Sequence, residues 1–299
     1  MKVAILGGTG FLGKYLIEYL KKEQYIPIVF TRNELDENLC ECRKTDYSKG
    51  DLIEKLSDIK AVVHLAAKRG SQGLISEFHD NEVLTQNVYE VCSLVGISNI
   101  VYASSISVYS DKSCLPWSEK DIPNPKLMYG VSKVACEHIG EIYSNKKGLY
   151  IKNLRFAHLY GFNEKNNYMI NIFFRRAFNK ETLAIDTKSY AKREFLYAKD
   201  AAKSIICALN KRKISGIFNI GSEEAHTNFE VATIINSIFK NEDNLIIKRP
   251  QEDEKIEPSY MKSIKAEYEL GFKPDYTFKQ AVEEIYLKMK ELDNVPLLY

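Results

Sequence analysis

One turn, Gly7-Gly8-Thr9-Gly10-Phe11-Leu12-Gly13, constrains this chain more than any other segment. It follows the apolar run 3–6, which reads as a buried strand. It opens a stretch in which Phe11, Leu12, Tyr15, Leu16 and Tyr19 recur at helical spacing. Glycines between a strand and a helix let the backbone turn tightly and approach a pyrophosphate, whose charge rests at the helix N-terminus. The letters fit two registers. Gly8, Gly10 and Gly13 give G-x-G-x-x-G, and Gly7, Gly10 and Gly13 give G-x-x-G-x-x-G. Either register predicts a dinucleotide site, with Gly7, Thr9, Gly10, Phe11, Leu12 and Gly13 around the phosphates. A glycine-rich connection without a ligand is the plainer alternative.

The first half keeps this rhythm. Strands are predicted at 28–31, 61–66, 100–104 and 150–155, and helices near 52–56, 74–95 and 127–144. Alternation of this kind implies a parallel sheet covered on both faces. The fold class is α/β, a doubly wound Rossmann sheet with a smaller C-terminal α+β lobe. Beyond Gly161 the pattern loosens, with helices near 167–179, 199–210, 228–240 and 278–290 and a strand at 216–221. At 299 residues, two domains are expected. Residues 1–160 form the dinucleotide-binding unit. Residues 161–299 form most of a substrate-binding lobe, with segments near 198–221 returning to the sheet.

Composition narrows the function. Lys and Arg total 42 and Asp and Glu total 40, a net charge of +2. That balance argues against nucleic acid as a partner. No apolar run approaches the roughly 18 residues of a membrane span, and residues 1–8 reach glycine too early for an export signal. A cytoplasmic protein without a membrane partner is expected. Six cysteines in a chain this long read as reduced thiols. Cys40-Glu41-Cys42 lacks metal-ligand spacing, so no metal is expected.

The end of the second strand bears on the cofactor. An NAD site usually places Asp or Glu there to bond the ribose 2′-hydroxyl. Here the chain reads Phe30-Thr31-Arg32-Asn33, and the first carboxylate is Glu34. Thr31 removes a repulsion and Arg32 could pair with a 2′-phosphate. Among the NAD(P) cofactors the residues favour NADP(H). The alternative is that Arg32 is a solvated surface arginine.

Two further segments bring chemistry. Tyr102-Ala103-Ser104-Ser105-Ile106-Ser107-Val108-Tyr109 ends the strand predicted at 100–104, and Tyr129-Gly130-Val131-Ser132-Lys133 opens a helix. Tyr129 and Lys133 are four apart and share a helix face. An ammonium near a phenol favours phenolate. At about 4 Å and an effective dielectric near 20, the attraction is about 4 kcal/mol, enough to make a phenol a working proton carrier.

With these pieces the chain resembles the extended short-chain dehydrogenase/reductase family, the nucleotide-sugar epimerases and dehydratases. The resemblance covers nearly the whole chain. It also rests on His64-Leu65-Ala66-Ala67, the stretch 154–161, Arg193-Glu194-Phe195-Leu196-Tyr197 with Asp200, Phe218-Asn219-Ile220-Gly221, and Leu270-Gly271-Phe272-Lys273-Pro274, in family order. It implies that Tyr129 is the acid/base, that Lys133 supports it and the nicotinamide ribose, and that Ser105 bonds the reacting oxygen. Asp46 with Tyr47 resembles the adenine contact. Leu65, Ala66, Ala67, Asn81, Ala103 and Ser104 would line the cofactor. On the substrate side it implies Lys68, Asn167 and Met169, with Arg193 holding the diphosphate and Arg249 as a second phosphate contact. Arg193 as a structural ion pair, and His158 as a core histidine, remain open. The family usually has Asn where His158 stands. A homodimer through the two long helices is also implied.

The resemblance also sorts the reactions. Dehydratases carry an Asp-Glu pair beside the catalytic serine, where this chain has Ile106 and Ser107. Decarboxylating members want a carboxylate at Ser107, and reductases that epimerise carbon-3 and carbon-5 want Cys there. What remains is hydride transfer at sugar carbon-4. Arg32 favours an NADPH-dependent 4-keto reductase, which is placed slightly ahead, and overall similarity favours a 4-epimerase as the alternative. Ser259 falls at the gate beside carbon-2, where epimerases of plain hexoses carry an aromatic. Its small side chain predicts a UDP-N-acetylhexosamine type of substrate. A non-catalytic NAD(P)-binding sensor is the alternative outside enzymology.

Overall fold

The computed structural model describes residues 1–32, 40–70 and 73–291. The N-terminal half forms β1 (Lys2–Leu6), α1 (Phe11–Lys22), β2 (Ile26–Thr31), β3 (Glu41–Lys44), α2 (Lys49–Lys55), β4 (Ala61–His64), α3 (Ile75–Leu94), β5 (Asn99–Ser105), α4 (Met128–Lys147) and β6 (Tyr150–Phe156). Then follow β7 (His158–Tyr160), α5 (Met169–Phe178), β8 (Leu183–Ile185), β9 (Arg193–Tyr197), α6 (Ala198–Asn210), β10 (Gly216–Ile220), β11 (Ala225–His226), α7 (Asn228–Ile238), β12 (Leu245–Ile247) and α8 (Phe278–Lys290).

Seven parallel strands build the main sheet in the order β10-β6-β5-β4-β1-β2-β3. The chain winds out to β3, returns, and continues from β4 on the other side of β1. This is the doubly wound topology, and it opens a crevice at the C-terminal ends of β1 and β4. The apolar runs follow from burial on both faces. Val3 and Ile5 join one core with Leu16 and Leu20 of α1 and Ile205 and Leu209 of α6. Ala4 and Leu6 join the other with Leu52, Val88, Tyr89 and Cys136 from α2, α3 and α4. A third core gathers α5, α7 and α8 around β8 and β9, through Phe173, Phe174, Phe195, Val231, Phe239 and Ile285. Two small sheets, β11-β9-β7 and β12-β8, complete this part.

Every predicted helix forms, within a few residues of the expected ends. The strand expected at 61–66 stops at His64, because Leu65, Ala66 and Ala67 turn off the sheet towards the crevice. Six short strands, β3, β7, β8, β9, β11 and β12, are additional to those expected. Their two to five residues carry too little periodicity to announce themselves. Among the described residues no helix is long and apolar enough to cross a membrane. All six cysteines are free.

Candidate functional site

Gly7 has φ +79°, and a Cβ there would stand 2.7 Å from the Ala66 amide nitrogen. Only glycine combines that conformation with that approach. A Cβ on Gly13 would meet the Gly8 carbonyl oxygen at 2.3 Å, so α1 packs directly on the turn. Gly10 is the N-cap of α1 and offers no side-chain cap. The first amides of α1 are therefore left for an outside anion. Gly7, Gly10 and Gly13 line the cavity described next, while Gly8 packs inward, where a Cβ would meet Val29 Cγ2 at 2.7 Å.

This turn forms the floor of a cavity of about 760 Å³ that runs over the C-terminal ends of β1, β4 and β5 and into the second lobe. Every sequence-predicted cofactor and substrate residue lines it except Asp46, Asn167, Arg249 and Ser259. Thr31 and Arg32 stand at one end. The Arg32 guanidinium lies 5.4 Å over the Tyr47 ring, whose hydroxyl donates to the Phe30 carbonyl at 2.8 Å. Asn33 and Glu34 lie outside the described residues. Asn81 clamps the wall loop. It accepts from the Lys68 amide at 2.8 Å and donates back to the Lys68 carbonyl at 3.2 Å.

At the centre, β5 delivers Ser105 and α4 delivers Tyr129 and Lys133. Gly130 allows this junction, since a Cβ on it would lie 2.2 Å from the Ser107 carbonyl oxygen. Ser105 Oγ accepts from the Ser107 amide at 3.1 Å and lies 3.1 Å from Ser107 Oγ. Lys133, only 2% exposed, donates to the Ala103 carbonyl at 2.6 Å and to Tyr102 Oη at 3.2 Å. Its ammonium stands 5.6 Å from the centre of the Tyr129 ring. The Ser104 hydroxyl is turned inward to Glu137 at 2.5 Å. Glu137 also takes two bonds from Arg155, at 2.9 and 2.6 Å. That fully buried, hydrogen-bonded ion pair anchors the end of β5 from behind.

The far wall comes from the second lobe. Arg193 Nη2 lies 3.3 Å from His158 Nε2, and Ser259 Oγ lies 2.9 Å from the same nitrogen. Burial and the Arg193 charge hold His158 well below the usual imidazole range, so it is neutral. His158 is thus a wall residue and not a core histidine. Arg193 has no ion pair among the described residues, which leaves it for a bound anion. Among the described residues, five cations (Arg32, Lys68, Arg69, Lys133 and Arg193) line the cavity against one carboxylate, Asp80. Such a lining attracts polyphosphate.

Four residues fall elsewhere. Arg249 is exposed and ion-paired to Glu252 at 2.7 Å and Asp186 at 3.8 Å, so the second phosphate contact expected there is corrected to a surface pair. Asp46 is exposed beside Tyr47, and its carboxylate accepts from the Ser48 amide at 2.8 Å, which holds it below the usual range. Asn167 is exposed and is not among the lining residues, while Asn166 and Tyr168 are. The chain enters α5 extended at Tyr168, and alternate residues face opposite ways. Ser259 pairs with Arg193 in a short parallel bridge and stands one side chain behind the wall, supporting His158. Arg69 and Asp80 line the cavity unannounced by any motif, placed there by the loop after β4 and by α3.

The cradle fits a dinucleotide: a positive-φ glycine, a helix N-terminus without a side-chain cap, and a cationic wall. Comparison with known proteins agrees. The chain is 61% identical to a UDP-N-acetylglucosamine 4-epimerase of Bacillus cereus of known structure, with TM-score 0.93 and all of both chains covered. It is 30% identical over 250 residues to the dTDP-4-dehydro-6-deoxyglucose reductase of Escherichia coli, covering 75% of this chain and 78% of that protein. It is 29% identical over 262 residues to an uncharacterized UDP-glucose epimerase of Bacillus subtilis, covering 80% of this chain and 82% of that one. Residues 3–221 match the NAD dependent epimerase/dehydratase family. The chain is an enzyme and belongs to that family, within the extended short-chain dehydrogenases.

Proposed function

We propose that the enzyme is a UDP-N-acetylglucosamine 4-epimerase working with NAD. The observation that carries this reading is the 61% identity, over the whole of both chains, to an enzyme of that activity. The geometry supports it. Ser105 is followed by Ile106, which is buried, and Ser107, whose hydroxyl oxygen accepts from Ser105 Oγ. Among the described residues no carboxylate stands beside Ser105 to run an elimination. In the proposal Tyr129 moves the proton of the carbon-4 hydroxyl, and Ser105 bonds the same oxygen, held in place by the Ser107 amide. The Lys133 ammonium keeps positive charge over the Tyr129 ring, beside the phenol that carries the proton. Arg193 grips the diphosphate, and the small Ser259 behind His158 lets that wall stand back, leaving room near carbon-2 for an acetamido group. The nicotinamide cofactor, when bound on the glycine cradle, supplies hydride exchange with carbon-4. Residues 1–160 act as the cofactor unit and 161–299 as most of the substrate lobe.

A second reading has its own support. Arg32 lines the cavity, and an Escherichia coli 4-keto reductase is among the relatives. An NADPH-dependent reductase would consume NADPH with a UDP-4-keto-6-deoxy-N-acetylhexosamine. Followed at 340 nm, the epimerase reading expects no stoichiometric consumption, and steady consumption overturns it. We also propose a homodimer. Helices α3 and α4 pack side by side and expose Val83, Leu94, Val131 and Ile142. Sedimentation at a single mass near 34.3 kDa would refute that.

A further inference from the structure

We propose that Tyr102 is a positioning residue for Lys133, fixing through its hydroxyl the direction in which the lysine ammonium meets the cavity. The inference rests on the reading of Tyr129 and Lys133 as the proton-handling pair. Lys133 is buried, and no ion pair among the described residues includes it. An ammonium has three N–H donors. One goes to the Ala103 carbonyl at 2.6 Å and one to Tyr102 Oη at 3.2 Å. The third is left for the cavity that Lys133 lines. Two fixed donors on a tetrahedral nitrogen determine the third. Without the Tyr102 hydroxyl, the nitrogen would keep only one anchor and could rotate about it.

The surroundings fix which way this bond runs. Tyr102 is 1% exposed, and its ring faces the same ammonium at 4.7 Å. Its hydroxyl also meets Cys136 Sγ. Thr85 Oγ1 donates to that sulfur at 3.4 Å, and His64 Nε2 lies 3.1 Å from Thr85 Oγ1. Since Thr85 spends its proton on sulfur, His64 Nε2 must carry a proton and donate to Thr85. His64 Nδ1, buried with no partner, is then the bare acceptor nitrogen. Burial holds this imidazole at about 3, so it stays neutral. The Tyr102 proton has Cys136 as its outlet, and its oxygen is free to accept from Lys133. The titratable groups facing this point are His64 from β4, Tyr102 from β5, Tyr129 and Cys136 on α4 itself, Tyr89 of α3, and Glu82 of α3 through Cys136.

The test is Tyr102→Phe, which keeps the ring and removes one oxygen. The full-length enzyme is assayed for interconversion of UDP-N-acetylglucosamine and its galacto epimer from pH 5.5 to 9, beside native enzyme and Tyr129→Phe. The inference expects kcat to fall about tenfold, KM to stay within about twofold, and the acidic limb of the kcat profile to move up by about half a unit or more. The melting temperature should stay within a few degrees. Unchanged kcat and an unmoved limb, with Tyr129→Phe inactive, overturn the inference alone. So does a loss of kcat accompanied by a large fall in melting temperature and an unmoved limb, which is a packing role. Turnover that survives Tyr129→Phe overturns both this inference and the reading beneath it.

Discussion

Lys152 sits in the middle of the main sheet, on β6 between β5 and β10, and is 0% exposed. Burial pulls its amine down from 10.5 to about 7. In the unfolded chain it returns to about 10.4. Between those values the unfolded state binds more protons, so stability rises with pH through this window. Linkage gives a gain of about 3 kcal/mol between pH 7 and 9.5 from this group alone. The amine also donates to Asn99 Oδ1 at 2.5 Å. Lys152→Met relieves the buried charge but leaves that oxygen without this donor, at about 1–3 kcal/mol. The variant should therefore be more stable than native at pH 7 by about 1–3 kcal/mol, and should lose about 3 kcal/mol of that advantage by pH 9.5. Trp117, the single tryptophan and a buried one, reports urea unfolding at both pH values. Comparing variant with native cancels the other titrating groups. A stability difference that does not change across that range would refute the reasoning, because the Lys152 amine would then titrate alike folded and unfolded.

Gly13→Ala places a Cβ 2.3 Å from backbone and should weaken NADH binding at least about tenfold by fluorescence titration; an unchanged Kd would contradict the cradle. Ser259→Tyr should cost activity on UDP-N-acetylhexosamines far more than on UDP-hexoses, whereas equal losses would remove Ser259 from specificity. Arg32→Ala should change the NADH Kd by less than about twofold. If native enzyme instead prefers NADPH and the variant loses that preference, the 2′-phosphate reading of Arg32 returns.

What was legible followed period and length. Six strands of the main sheet announced themselves because burial on both faces makes them apolar runs, whereas the edge strand β3 is half-exposed and carries no such run; the glycine turn was legible because Gly7 and Gly13 leave no room for a Cβ. Tyr129 and Lys133 were legible because a helix converts four residues into one face. The short strands of the second lobe were not, since two or three residues carry no period and tertiary packing selects them. Asn167 is exposed and does not line the cavity, while its neighbours Asn166, Tyr168 and Met169 do. Arg249 matched a loose spacing, but Asp186 and Glu252 hold it at the surface. The contact between Ser259 and His158 joins positions 101 apart. Sequence placed both near the substrate without showing that one supports the other. The Glu137–Arg155 pair behind Ser104 left no local signal, since its partners meet only when α4 docks on the sheet.

The central claim is that Tyr129, with Lys133 and Ser105, inverts carbon-4 of a UDP-N-acetylhexosamine. Proton NMR of UDP-N-acetylglucosamine incubated with the enzyme and catalytic NAD tests it most directly. The account predicts that galacto signals grow to a constant ratio from either epimer, and that Tyr129→Phe, still binding the dinucleotide, produces none. Absence of the second epimer with native enzyme, or its appearance with Tyr129→Phe, would contradict the account.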